Sequence, residues 1–242
     1  GVAGTLKKNG GLFMKMEHAI NYLASHDNNS LGDHIRIDSG RIKPQEEIPG
    51  RNVDDMAKLG DRELKINKLG ALILYTSQGG LMILAGQEWA QAKVVHPPVP
   101  MVDPWAANKA KPWTLDHDSY EKDNETNWLN FKHLKMNIDL ANYYFGLSQL
   151  RMQYDAFRWS EEANITWLDC ADNNNAQGWL YTKGGKFVVL ANGSSNKDAT
   201  FTLPAGNWKV LADDKTASPY PQRATKSGTV VVPATTGMVL MQ

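Results

Sequence analysis

The chain has 242 residues, enough for one large domain or two of ordinary size, with 42% hydrophobic and 21% charged residues, the balance of a globular protein. Lysine plus arginine equals aspartate plus glutamate at 26 each, which removes the electrostatic case for nucleic acid as the main partner. The longest apolar run, Leu81 to Gly86, is too short to insert across a membrane, and the single cysteine, Cys170, excludes an internal disulfide framework or a multi-cysteine zinc site.

The start, Gly1-Val2-Ala3-Gly4-Thr5, has neither an initiator Met nor a signal-peptide core and reads as a cut end. Ala19–Ala24 reads as a buried strand closed by the polar cluster Ser25-His26-Asp27-Asn28. A polar, Pro-containing loop to about Gly50 is expected next. From Val53 to Ser77, Met56, Leu59, Ile66, Leu69, Leu72, Ile73 and Tyr75 carry helical spacing, stopped by Gly79-Gly80. Leu81–Ala85 reads as a second buried strand, closed by Gly86-Gln87-Glu88. Residues 90–130 carry five prolines and read as irregular, and a second helix is expected from about Phe131 to Met152. Strand, helix, strand, helix, with apolar strands that do not alternate, describes part of a parallel sheet covered by helices. In barrels of that kind catalytic residues follow the strands' C-terminal ends, where Asp27 and Glu88 both lie.

After about Ile165 the pattern becomes all-β. Short runs at 165–168, 178–181, 187–190, 200–203, 208–211, 230–232 and 238–241, separated by turn clusters, predict about seven strands in a small antiparallel sandwich. The expected fold class is therefore α/β plus all-β. Residues 1–155 would be the C-terminal portion of a (β/α)8 barrel, and residues 156–242 a β-sandwich. Two strands and two helices cannot close a barrel, so the apolar strand faces call for partner sequence.

Four segments then line up in order: Asn21-Tyr22-Leu23-Ala24-Ser25-His26-Asp27-Asn28, Leu81-Met82-Ile83-Leu84-Ala85-Gly86-Gln87-Glu88-Trp89, Asp118-Ser119-Tyr120-Glu121-Lys122-Asp123, and Asn127-Trp128-Leu129-Asn130-Phe131. Together they resemble the last part of the α-amylase superfamily of glycoside hydrolases, most like its pullulanase and other debranching members. There, one strand ends in His-Asp-Asn and the next in Ala-Gly-Gln-Glu, and an Asn-Ser-Tyr loop precedes the last barrel helix.

The resemblance implies a retaining hydrolase of α-glucans such as pullulan, starch or glycogen, with no cofactor and no metal among these residues. Asp27 would be the third catalytic carboxylate, stabilising the oxocarbenium-like transition state, with His26 and Asn28 binding the same sugar. Tyr120, Asp123 and Asn127 match a loop lining donor-sugar subsites, where substrate contact and loop stiffening are equal readings. Gln87 and Glu88 would hold the catalytic floor together. Asp118 stands where the family has Asn, and Asn130-Phe131 where it has Asp-Trp. The nucleophile and general acid would come from strands preceding Ala19, so the segment alone is expected to be inactive, with the N-terminal half of the barrel as its partner.

Other clusters admit blander readings. His96, His117 and His133, with Asp103, Asp116 and Asp118, fit no metal-ligand spacing. Trp105, Trp113 and Trp128 would form a sugar platform or pack the long loop. A non-catalytic carbohydrate-binding or interaction protein, using the sandwich and exposed aromatics, is the alternative.

Overall fold

The structure, a computed structural model, describes residues 2–4, 6–97, 111–120 and 122–242. In chain order the elements are strand β1 (Ile20–Asn21), helices α1 (Leu31–Asp38), α2 (Val53–Ala57) and α3 (Asp61–Tyr75), then strand β2 (Gly80–Leu81). Helices α4 (Phe131–Met136), α5 (Ile138–Gln153) and α6 (Ala156–Trp159) follow. Eight strands close the chain: β3 (Ile165–Leu168), β4 (Ala176–Tyr181), β5 (Phe187–Asn192), β6 (Ala199–Thr202), β7 (Trp208–Ala212), β8 (Thr225–Lys226), β9 (Thr229–Val232) and β10 (Thr236–Met241). The result is a mixed fold of helices and antiparallel sheet, with one short parallel pair.

Several elements differ from the sequence pattern. The apolar runs 19–24 and 81–85 contribute only two ladder residues each, Ile20 opposite Gly80 and Asn21 opposite Leu81. They are not buried strands: Ile20 is 66% exposed and Met82 40%. Among the described residues no further strand joins this short pair. The polar stretch expected to be loop contains α1, started by Ser30, whose hydroxyl accepts from Asp33 N–H at 3.2 Å. The single helix expected over 53–77 is two, parted at residues 58–60, and the helix expected from Phe131 is divided at Asn137.

Contact density divides the chain into two compact units. The first comprises Gly1–Tyr22, Lys68–Met82 and Asn142–Gln242. Its main sheet has six strands in the order β3-β4-β5-β10-β7-β8, every pairing antiparallel, and β6-β9 form a separate antiparallel pair. Alternation sorts their side chains. Val188, Leu190, Val210, Met238 and Leu240 of the large sheet meet Phe201, Val230 and Val232 of the small one in a single core. The opposite face of β5 and β4 meets helical aromatics, with Phe157 5.2 Å from Phe187 and 5.8 Å from Tyr181, centroid to centroid. The Tyr181 hydroxyl donates to Thr76 C=O at 2.7 Å. Covered on both faces, β5 reads Phe-Val-Val-Leu-Ala-Asn without a polar alternation, and all six residues are buried. Arg151 donates to the carbonyls of Tyr75 at 2.9 Å, Ser77 at 2.6 Å and Gly79 at 2.6 Å, satisfying the end of α3.

The second unit comprises Leu23–Asn67 and Ile83–Ala141. Ile42, Ile48, Met56, Ala57, Ala92, Val94 and Leu115 form its apolar core. Asn137, where the helix divides, donates to Ala57 C=O and Trp89 C=O at 2.9 Å each and accepts from Leu59 N–H at 3.0 Å. One side-chain amide thus serves three backbone groups.

Candidate functional site

All the site residues singled out in the sequence fall in the second unit, on loops that follow the parallel strands or precede α4. After β1 the chain turns sharply. Asn28 adopts φ 64, in the left-handed region that asparagine tolerates better than most residues, and α1 begins three residues later. That turn leaves His26 and Asp27 projecting, with side chains 69% and 61% exposed and His26 Nε2 3.2 Å from Asp27 Oδ2. The Tyr120 ring lies 6.1 Å from the His26 ring, inclined at 34°. His26, Asp27 and Tyr120 are therefore brought together from segments nearly a hundred positions apart.

The loop carrying Tyr120 is braced from within. Asn127 donates through its amide nitrogen to Ser119 C=O at 2.5 Å and Lys122 C=O at 2.6 Å, so its donor side faces the loop backbone. Asp123 is exposed on the same loop. Glu88 Oε2 accepts from Gly86 N–H at 3.0 Å, closing the turn after β2, and Gln87 beside it is buried. These two residues shape the turn.

Sequence reasoning missed the groups that join these loops. Asp33 and Arg36 are fully buried and paired at 2.9 Å. Asp33 also accepts from Ser30 Oγ and Lys93 N–H, each at 2.9 Å. Arg36 donates to the carbonyls of Met56 at 2.8 Å, Ala57 at 2.6 Å and Ala90 at 2.7 Å. Burial pulls both groups towards neutrality, raising the carboxyl and lowering the guanidinium, while their mutual attraction opposes it. A pair so fully bonded fixes α1 against the turn after Glu88. Gly32 permits that approach, since a Cβ there would lie 2.9 Å from Ala90 Cβ. The only sequence signal was the Ser30-x-x-Asp33 start of a helix.

The histidines and acids considered for metal binding have other surroundings. His96 lies edge-on to Trp113 at 5.6 Å, and His133 is buried against Asn130 and Asp54. Asp116 is held by Lys122 and by Asp118 N–H. His117 is half-buried. Asp103 and Trp105 lie outside the described residues. Trp113 is half-buried, whereas Trp128 is 60% exposed, next to Leu129 at 42% and Phe131 at 61%.

Chemically, the site offers a solvent-facing carboxylate beside an imidazole, with a phenol next to that imidazole. Such a set can accept and donate hydrogen bonds to a polyol and can oppose a developing positive charge.

The fold is that of a segment shared by pullulanases and related glycogen-degrading enzymes. Type I pullulanase from Bacillus subtilis, solved with maltose, matches over 100% of this chain with TM-score 0.73 and 18% identity. The Group B Streptococcus pullulanase SAP, solved with maltotetraose, matches over 94% with TM-score 0.71 and 20% identity. A glycogen-degrading pneumococcal virulence factor, SpuA, matches over 94% with TM-score 0.68 and 22% identity. The chain spans 30%, 32% and 26% of those three chains, respectively. No protein-family model matches it.

Proposed function

We infer that this chain is the C-terminal part of an α-glucan glycoside hydrolase, contributing Asp27 to a site completed by the barrel strands that precede it in such enzymes. The observation that carries this is the fold match over 92–100% of the chain to pullulanases of several bacteria. The placement of His26-Asp27 on the loop that follows β1, and of Gln87-Glu88 on the loop that follows β2, agrees with it. Residues 1–155 are then the end of a (β/α)8 barrel, and the β-sheets within 156–242 are its closing sandwich. The exposed Ile20 and Met82 side chains are the surface that further barrel strands would cover.

In this reading a nucleophile and a general acid from the preceding strands perform the double displacement. Asp27 faces the sugar at the cleavage point, and its charge stabilises the oxocarbenium-like transition state as positive charge grows at the anomeric carbon. His26 and Asn28 hold hydroxyls of the same sugar, and Tyr120, Asp123 and Asn127 border the donor side. The 242 residues alone then bind glucan without cleaving it.

The test is product analysis of the full-length polypeptide on pullulan, amylose and glycogen. Release of linear maltooligosaccharides from pullulan or glycogen is expected, with the 242-residue segment releasing none. Full-length protein inert on all three substrates would sink the assignment and leave the non-catalytic carbohydrate-binding alternative.

A further inference from the structure

Gln91 lies where three segments of the site converge. It is 5% exposed and belongs to no sequence motif. Its backbone N–H donates to Gly86 C=O at 3.0 Å, within the turn that carries Gln87 and Glu88. Its carbonyl oxygen lies 3.0 Å from Ser30 Oγ, at the start of the helix that follows His26-Asp27-Asn28. Its side chain reaches the third segment. Nε2 donates to Trp128 C=O at 2.9 Å, and Oε1 accepts from Asn130 N–H at 2.9 Å. Gly86, at φ 92, makes room for this reach: a Cβ there would come within 3.1 Å of Gln91 Cβ and 3.2 Å of Oε1.

Two residues further on, Lys93 Nζ donates to Ser119 Oγ at 2.9 Å. One short extended segment therefore holds the Tyr120–Asn127 loop at both ends, by Lys93 before it and Gln91 after it, while Asn127 braces the middle.

We propose that Gln91 is a positioning residue that sets the height and register of the Tyr120–Asn127 loop against the His26-Asp27 turn. It touches no reacting atom. Its two side-chain bonds fix backbone groups at 128 and 130, and through them the loop that stands beside His26. The role for substrate rests on the glucan assignment above, but the bracing itself does not. A glutamine suits the place because it donates to one backbone group and accepts from another with a single planar amide. Methionine matches its length and does neither. Glutamate keeps the acceptor for Asn130 and loses the donor for Trp128.

The experiment compares Gln91→Met and Gln91→Glu with the parent in the full-length polypeptide, by amide hydrogen exchange and by steady-state kinetics on pullulan. In Gln91→Met, exchange across residues 119–131 should rise about tenfold, as expected when a buried hydrogen bond is lost. KM should rise about tenfold while kcat falls no more than about threefold, because substrate contact is loosened more than the chemistry. In Gln91→Glu the Asn130 amide should stay protected and KM should fall between parent and Gln91→Met. If Gln91→Met does not fold, that graded response of Gln91→Glu decides the matter. Exchange and KM within twofold of the parent in both variants would overturn the proposal, as would a loss confined to kcat. Increased exchange in a full-length protein inert on every glucan would support the bracing and reject the glucan assignment instead.

Discussion

His133 illustrates how a single side chain records the energetics of the second unit. It is 1% exposed, its Nε2 lies 3.1 Å from Asn130 Nδ2 and 3.6 Å from Asp54 Oδ1, and Nδ1 has no hydrogen-bond partner among the described residues. Burial holds its pKa below the ordinary imidazole value. Asp54 favours the charged form, and Arg36 and Lys132 oppose it. The folded state therefore takes up its proton at lower pH than the unfolded state. The stability this confers is present above about pH 6.5 and is lost as pH falls through the folded-state value. We expect the parent to lose more stability between pH 7.5 and pH 5 than His133→Gln does, measured by urea unfolding at each pH. Equal losses would mean that His133 does not titrate differently on folding. At this scale His26-Asp27-Asn28 and Gln87-Glu88 were legible, since each sits on consecutive positions after an apolar run. Asp33, Arg36, Gln91 and Lys93 were not, because their roles depend on partners as far as 61 positions away. Nothing local marks a charged residue as buried.

Among the elements, β3 to β7, β9 and β10 were visible as short apolar runs, and their bounds shift by at most two residues. The structure adds β8, a two-residue strand of Thr225 and Lys226 at the edge of the sheet, too short and polar to stand out. Helix α1 escaped for a different reason. Its buried positions are Gly32, Asp33, Ile35 and Arg36, so the face turned inward is half charged. The breaks between α2 and α3 and between α4 and α5 meet at one side chain, the Asn137 amide, which pairs with backbone at Ala57, Leu59 and Trp89. Apolar spacing continues across both breaks, although Gly60 marks the first, where its N–H donates to Glu63 Oε2 at 2.9 Å. Removing the amide with Asn137→Leu strands two of those groups, Leu59 N–H and Trp89 C=O, since Arg36 also donates to Ala57 C=O. At about 1–3 kcal/mol for each buried group left unpaired, the loss should be at least about 2 kcal/mol in a denaturant melt. A change below about 1 kcal/mol would show that water or a helical rearrangement replaces the bonds.

For the molecule as a whole, the parallel pair β1–β2 is the feature that most needs explanation. Its ladder is two residues long, and Ile20 and Tyr22 are 66% and 56% exposed. Exposed apolar strand edges are templates for pairing with other chains. The 242-residue segment, isolated, is therefore expected to associate, with a light-scattering mass above 26.9 kDa. A monomer that binds no hydrophobic dye would argue that these strands need no cover. Covered within a full barrel, the same strands would deliver His26 and Asp27 to a closed site. The central claim, that Asp27 is a catalytic carboxylate of an α-glucan hydrolase, is tested most directly by turnover of pullulan by the full-length polypeptide carrying Asp27→Asn. The substitution is nearly isosteric, so circular dichroism and melting temperature should match the parent while kcat falls by at least about a thousandfold. A well-folded Asp27→Asn protein with kcat within about tenfold of the parent would contradict the claim.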